Sequence, residues 1–365
     1  MKSGKHTNVS RFYKRIMKKL ILSALLLLSL VFSLCSCEKQ KEHYSKYSFD
    51  YFDTVTSISG YASTEEEFDE VYNLALEMLR DYHRLFTIYH RYADLENLCT
   101  VNELVGGNHR VVTVDARVIE MLTYAKGAYE MTDGTLNIAM GSVLKLWHNE
   151  RELGADDPVN AALPSMTALT EAALHTSIND VIIDEAAGTV FISDPALTLD
   201  VGAVAKGYAV EMIARTLEEM GIDGYVLNVG GNVRTIGKKA NGDAWTVGIE
   251  NPDKESDVPY LAYLSLSGEA LVTSGSYQRY YIVDGEKYHH IIDPDTLFPS
   301  DKYTSVSVVC KSSADADVLS TALFCMDLDE GMALIEKTEG AEAMWLLPDG
   351  EIVKSSGFSQ YETKR

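Results

Sequence analysis

Leu197-Thr198-Leu199-Asp200-Val201-Gly202-Ala203-Val204-Ala205-Lys206-Gly207-Tyr208 is the stretch whose reading decides the fold. Leu197 to Asp200 reads as a strand and Val201 to Gly207 as a loop of small residues. Residues 208–220 then read as a helix, with Val210, Ile213, Leu217 and Met220 on one face and Gly221 as the stop. A strand, a loop with two glycines and a helix start make an anion site. The glycines allow close backbone approach, the free amides and helix dipole favour negative charge, and Lys206 adds a full positive one. The residue order is that of neither a Walker A loop nor a GxGxxG fingerprint. Taken alone, such a loop serves structure at least as readily as a ligand.

Working outward, Ile182-Ile183 and Val190-Phe191-Ile192 alternate like a hairpin, and Tyr225 to Val229 is a strand that turns at Gly230-Gly231-Asn232. Residues 64–86 carry Phe68, Val71, Leu74, Met78, Leu79 and Leu85 near helical spacing, and a second helix runs over 115–131 from Asp115 as its N-cap. Further strands are predicted over 47–61, 245–250, 261–266, 271–273, 277–283, 304–310 and 343–353, and helices over 313–326 and 329–338. Residues 149–165 read as polar loop. Hairpins outnumber βαβ units, so the expected fold class is α+β, with mixed sheets and packed helices in one globular unit. No repeat of solenoid period and no low-complexity segment interrupts it.

The first 36 residues do not read as part of that unit. Met17-Lys18-Lys19 opens a basic stretch before the apolar run from Leu20 to Leu34. At about 15 residues the run is short for a membrane-spanning helix and suits a signal-peptide core. Leu34-Cys35-Ser36-Cys37 follows and resembles the lipobox of bacterial lipoproteins, with Cys37 the better acceptor and Cys35 the alternative. The expected organisation is a signal peptide over 1–36 (Met17 is an alternative start), a lipidated tether over 37–46, the domain over 47–355 and a tail over 356–365. An uncleaved membrane anchor is the competing reading, and either places the domain on the extracytoplasmic face of the membrane. A diacylated, N-acylated cysteine, palmitate among its chains, exceeds the two signals that stable attachment requires.

Removing residues 1–36 takes away seven basic residues and no acidic one, moving the net charge from −22 to about −29. A surface that acidic excludes nucleic acid, whose binding needs clustered Lys and Arg. Beside the acylated Cys37, Cys99, Cys310 and Cys325 remain as free thiols, an odd number without CxxC spacing, which excludes a disulfide framework and a thiolate metal site.

Two further constellations carry chemistry. In Ser313-Ala314-Asp315-Ala316-Asp317-Val318-Leu319-Ser320-Thr321-Ala322, Asp317 and Thr321 stand four apart on one helix face. A carboxylate and a hydroxyl so placed suit magnesium, which takes one or two protein oxygens beside phosphate and water. They suit equally a helix whose aspartates only complement its dipole. In Tyr288-His289-His290-Ile291-Ile292-Asp293-Pro294 the adjacent histidines face opposite sides of a strand, so a two-histidine zinc site is disfavoured and one of them is a candidate general base. Thr273-Ser274-Gly275-Ser276-Tyr277 lacks the nucleophile elbow of a hydrolase.

Asp133-Gly134-Thr135-Leu136-Asn137, the Asp200–Tyr208 stretch, Asn228-Val229-Gly230-Gly231-Asn232, Thr273–Tyr277, His290-Ile291-Ile292-Asp293-Pro294 and Ala316–Ala322, in that order, resemble the motif series of the ApbE family, the FAD:protein FMN transferases. The resemblance runs over about residues 47–350. It implies that Ala203 gives its carbonyl to Mg2+, with Asp317 and Thr321 as side-chain ligands and Ser320 where some relatives carry a further aspartate. It implies that Asp200, Lys206 and Ile291, with Thr135, Leu136 and Asn137, contact FAD, and that Phe52 and Tyr89 hold its flavin and adenine ends. His290 becomes the base for an acceptor threonine. Phe52-Asp53-Thr54 stands where the family pattern has Met-Gly-Thr. Asn137, Asn232 and Ser276 replace aspartates, and Leu297 replaces a glycine.

The implied function is magnesium-dependent transfer of FMN from FAD to a threonine of acceptor proteins, such as membrane redox subunits or FMN-binding-domain proteins, with release of AMP. The competing functions are an FAD pyrophosphatase, in which water attacks instead, and a lipoprotein that only binds flavin.

Overall fold

The computed structural model describes residues 40–108 and 111–364, so the expected signal segment and Cys37 lie outside the described residues. In chain order the elements are β1 (Glu42–Ser48), β2 (Thr56–Ala62), α1 (Glu65–Phe86), α2 (Leu98–Asn108), β3 (Val112–Thr113), α3 (Ala116–Met131), α4 (Gly141–Asp156) and α5 (Met166–Ala173). There follow β4 (Val181–Asp184), β5 (Thr189–Ile192), α6 (Ala205–Glu219), β6 (Tyr225–Val229), β7 (Asn232–Ile236), β8 (Trp245–Glu250), β9 (Tyr260–Leu266) and β10 (Ala270–Gly275). The chain closes with β11 (Tyr280–Val283), β12 (Glu286–His289), β13 (Ser305–Cys310), α7 (Ser313–Cys325), α8 (Leu328–Lys337), β14 (Glu342–Leu346) and β15 (Ile352–Lys354).

Eight strands form the main sheet in the order β1-β2-β6-β7-β10-β13-β14-β15. Alternation along its central strands decides what covers each face. Ala270 and Val272, Val308, and Ala343 and Trp345 join the main core with α1, α3, α6 and α7. Leu271, Val309 and Met344 point the other way, against the β8–β9 hairpin and Phe358. The α+β expectation holds: sheet pairing is antiparallel from β2 to β15, and helices pack on it.

Helix starts follow side-chain caps. Thr64, Asp115 and Ser312 accept from the backbone N–H of Glu67, Arg117 and Asp315. α6 and α7 lie against each other because residue 207 is glycine. A Cβ there would sit 2.4 Å from Asp317 Cβ and 2.5 Å from Ser313 O. Buried Glu211 ties the same elements together, accepting from Arg215 Nε at 2.8 Å, Arg234 Nε at 3.1 Å and Ser313 N at 2.9 Å.

Several sequence-based boundaries need correction. The strand expected over 47–61 is two, β1 and β2, and β1 begins at Glu42, inside the segment expected to be a tether. The polar loop expected over 149–165 begins as helix, because α4 runs on to Asp156. Leu197–Asp200 is extended but joins no sheet. Its backbone is held instead by Asn102, whose side chain bonds Leu199 N and O at 2.8 and 2.9 Å, and by Gly141 N and Ile138 O. Residues 343–353 form a hairpin rather than one strand. The expected tail over 356–365 packs, with Phe358 buried and Ser265 N donating to Tyr361 O at 2.7 Å. Two departures from the family pattern become intelligible here. Asp53 (φ 50°) and Leu297 (φ 60°) both occupy the left-handed region that favours glycine.

Candidate active site

A cavity of about 400 Å³ opens where the 200–207 loop, β7, β10, α7 and the segment after β12 meet. Of the residues singled out from the sequence, Tyr89, Thr135, Leu136, Asn137, Asp200, Ala203, Lys206, His290, Ile291, Asp317 and Thr321 all line it. Motifs as far apart in the chain as Thr135 and Thr321 therefore line one cavity, which no local pattern required.

The floor is built on α6 and α7. Gly207 N donates to Asp317 Oδ2 at 2.8 Å, and Lys206 Nζ lies 3.4 Å from Asp317 Oδ1 and 2.8 Å from Asn232 Oδ1. Asp317 is only 4% exposed, so its charge is answered by these donors rather than by water. Thr321 stands one turn further on, its Oγ1 3.3 Å from Ser274 Oγ. Ser274 also lies 2.9 Å from Ser320 Oγ, and Ser320 donates to Asp317 O at 3.1 Å. Since Ser320 spends its one proton on that carbonyl, Ser274 donates to Ser320 and is left to accept from Thr321. The chain of hydroxyls leaves the lone pairs of Thr321 free.

Two singled-out residues stand apart from the cavity wall. Ser320 is wholly buried in the chain just described. Phe52 packs edge-on to His83, ring centroids 5.5 Å apart, and gives its N–H to His83 Nδ1, while its neighbours Asp53 and Thr54 line the cavity. Asn137 does line it, but both ends of its carboxamide are spent on Thr176 O and Ala139 N. It caps the short turn over 138–140 and so shapes the wall.

The two histidines divide as strand alternation predicts. His289 is buried, donates from Nε2 to Ser300 O at 2.8 Å and accepts at Nδ1 from Ile291 N at 3.2 Å. His290 turns to the cavity with Nδ1 3.3 Å from Arg279 O. A carbonyl only accepts, so that contact puts the proton on Nδ1 and leaves Nε2 as the basic nitrogen. Burial, with Arg279, His289 and Arg151 adding to it, pushes the His290 pKa down to about 3. The imidazole is therefore neutral at physiological pH.

Burial also raises the Asp200 carboxyl pKa, opposed by the N–H of Gly202 at 2.8 Å. Tyr89, 54% exposed at the rim, has its ring 5.0 Å from that of His148. His148 accepts from Arg151 Nη2 at 2.9 Å. Arg151, Arg279, Ser274 and the role of Asn232 escaped the sequence reading. Ser274 lay inside a quoted motif, but nothing in the one-dimensional pattern marked either arginine. Asp293, the other polar group of its motif, is held by Lys302 at 2.9 Å and by the N–H groups of Asp295 and Thr296, which makes it a structural residue.

Fold and cavity together define an enzyme with a site for an anionic ligand, lined by the cations Lys206, Arg151 and Arg279 and by the neutral base His290. The ApbE family model matches residues 52–345. An FAD:protein FMN transferase of Klebsiella pneumoniae is 33% identical over 282 residues, 75% of this chain and 84% of the relative. One from Treponema pallidum is 34% identical over 262 residues, 68% of this chain and 70% of the relative. The crystal structure of the ApbE protein from Thermotoga maritima superposes with a TM-score of 0.75 at 27% identity, covering 88% of this chain and all of that one. The chain belongs to the ApbE family, and it is a flavin transferase.

Proposed function

We propose that this flavin transferase moves FMN from FAD to a threonine hydroxyl of an acceptor protein, using a magnesium ion held by Asp317, Thr321 and the carbonyl of Ala203. The observation that carries the reading is the meeting of Lys206, Asp317, Thr321 and His290 on one cavity wall. The donor set fits magnesium. It offers one carboxylate with neutral oxygens, and the Asp317 Oδ1 contact to Lys206, at 3.4 Å, is long enough to leave that oxygen for a cation. When bound, the ion neutralises charge on the phosphate oxygens of the substrate.

The protein's own residues do the rest. Lys206, on the cavity wall at the start of α6, holds the pyrophosphate by its positive charge and by the favourable end of the helix dipole. The Tyr89 ring at the rim, tilted 32° to that of His148, offers an aromatic face for the adenine. His290 Nε2 takes the proton of the threonine hydroxyl as its oxygen bonds to the FMN-side phosphorus, and the bridging P–O bond breaks with its electron pair leaving on AMP. Lipid on Cys37 keeps the domain at the extracytoplasmic face of the membrane, a reading supported by the Leu34–Cys37 pattern after an apolar run.

The test is mass spectrometry of an acceptor domain after incubation with enzyme, FAD and magnesium. The expected product is the acceptor carrying one FMN at threonine, with one AMP released per adduct. Free FMN and AMP without adduct would replace transfer by hydrolysis.

A further inference from the structure

Transfer to a protein threonine leaves one partner to place. A threonine hydroxyl stands only one bond beyond Cβ, so the acceptor's main chain must itself come to the cavity beside His290. The β11–β12 hairpin leads to that point. Arg279, just before β11, and His290, just after β12, both line the cavity. The turn is Asp284-Gly285, both left-handed at φ 52° and 88°, as a two-residue turn of type I′ requires. In such a hairpin the pairs Val283–Glu286 and Tyr281–Tyr288 exchange backbone hydrogen bonds, whereas the N–H and C=O of Tyr280 and Ile282 point away from β12. Among the described residues β11 pairs with β12 alone. The chain returning through Pro299 and Ser300 flanks the end of β12, with Ser300 N donating to Ile291 O at 3.0 Å. The open edge is therefore that of β11.

Its side chains alternate in the same way. Tyr281 and Val283 are buried with Trp147 of α4. Tyr280 and Ile282 are exposed, and Lys287, opposite Ile282, holds its Nζ 4.8 Å from the centroid of the Tyr280 ring. An open edge bearing apolar side chains is what an extended segment of another chain pairs with.

We propose, resting on the reading that the protein transfers FMN to a threonine, that the open edge of β11 docks the acceptor protein. A segment of the acceptor lies beside Tyr280–Val283 as a third strand, bonded to the backbone of Tyr280 and Ile282 and covering their side chains. The end of the edge singles out this occupant. A strand laid along β11 runs past Arg279 to the cavity, and its next residues reach His290. Main-chain bonds supply the affinity, so the segment next to the threonine is recognised by its extended conformation and by one or two apolar side chains.

Steady-state flavinylation of an FMN-binding-domain protein tests this, with FAD titration as the control. Ile282→Asp sets a carboxylate opposite Lys287, a pairing the hairpin tolerates. Ile282→Pro removes the outward N–H and leaves the ladder to β12 intact. Each should raise the KM for the acceptor about tenfold or more, the loss of one or two hydrogen bonds with their apolar cover, and leave kcat and FAD affinity unchanged. Thermal melts confirm that each variant is folded. In the wild-type protein, an acceptor whose target threonine is alanine should slow amide exchange at Tyr280 and Ile282. An unchanged KM in both variants, or unchanged exchange at both amides, would overturn the proposal. Equal losses of FAD affinity would overturn it too, making the hairpin part of the nucleotide pocket. A wild-type dimer that Ile282→Asp dissociates would assign the edge to a second copy of the chain instead. Release of AMP by wild-type protein without any adduct would overturn the transfer reading on which the proposal rests.

Discussion

Replacing each of the two adjacent histidines by alanine separates a structural role from a chemical one. His289→Ala strands two buried backbone groups, Ser300 O and Ile291 N, which the imidazole holds at 2.8 and 3.2 Å. A buried polar group left unpaired costs about 1–3 kcal/mol. The edge-on contact with Phe324, centroids 5.6 Å apart, adds roughly 0.5–1.5 kcal/mol. The expected loss is therefore about 2.5–7.5 kcal/mol, with Ile291 displaced on the cavity wall. His290→Ala loses only a 3.3 Å contact to Arg279 O and should cost about 1 kcal/mol or less. Its flavinylation rate should nevertheless fall roughly 10²–10⁴-fold, the range for removal of a general base. Urea unfolding gives the first quantity, the rate of adduct formation by mass spectrometry the second, and FAD titration checks that affinity changes little in His290→Ala. The reasoning fails if His290→Ala is destabilised as much as His289→Ala. It fails equally if the lost rate of His290→Ala is matched by lost FAD affinity.

Gly207→Ala forces a methyl to within 2.4 Å of Asp317 Cβ, so it should cost about 1–3 kcal/mol by overpacking and weaken magnesium binding; a wild-type melt and magnesium titration would contradict it. Asp317→Ala should abolish magnesium-dependent turnover while FAD still binds, and unchanged activity across a magnesium titration would remove the proposed ion site. Because the folded-state pKa of His290 lies near 3, below the unfolded value near 6.5, the unfolded chain binds a proton that the folded one refuses, and stability falls as pH drops from about 6.5 toward 3. FAD's phosphates oppose Arg279 and Arg151, so NMR titration should find this pKa higher in the FAD complex; a value near 6.5 in the free protein would refute the assignment. Cys37→Ala should abolish labelled fatty-acid incorporation, and labelling that persists would shift the anchor to Cys35.

The sequence by itself determined the chemistry on offer. Local rules suffice for an amphipathic helix expected over 64–86, for Asp317 and Thr321 on one helix face, and for opposite directions of His289 and His290, because helix and strand periods act over a few residues. The same rules misread Leu197–Asp200, whose backbone is satisfied by Asn102, about a hundred residues away, instead of by a strand. They also passed over the docking of Phe358, which depends on a sheet face that exists only after β10, β13 and β14 have paired. The site was legible as parts and not as a place. Only the packing of α6 on α7, permitted by the missing Cβ of Gly207, sets Lys206 against Asp317. Only the sheet brings Asn232 and Ser274 to the same wall. Such contacts carry no periodic signature, because they join residues whose separation in the chain is unrelated to any local repeat, and so the tertiary structure alone decided them.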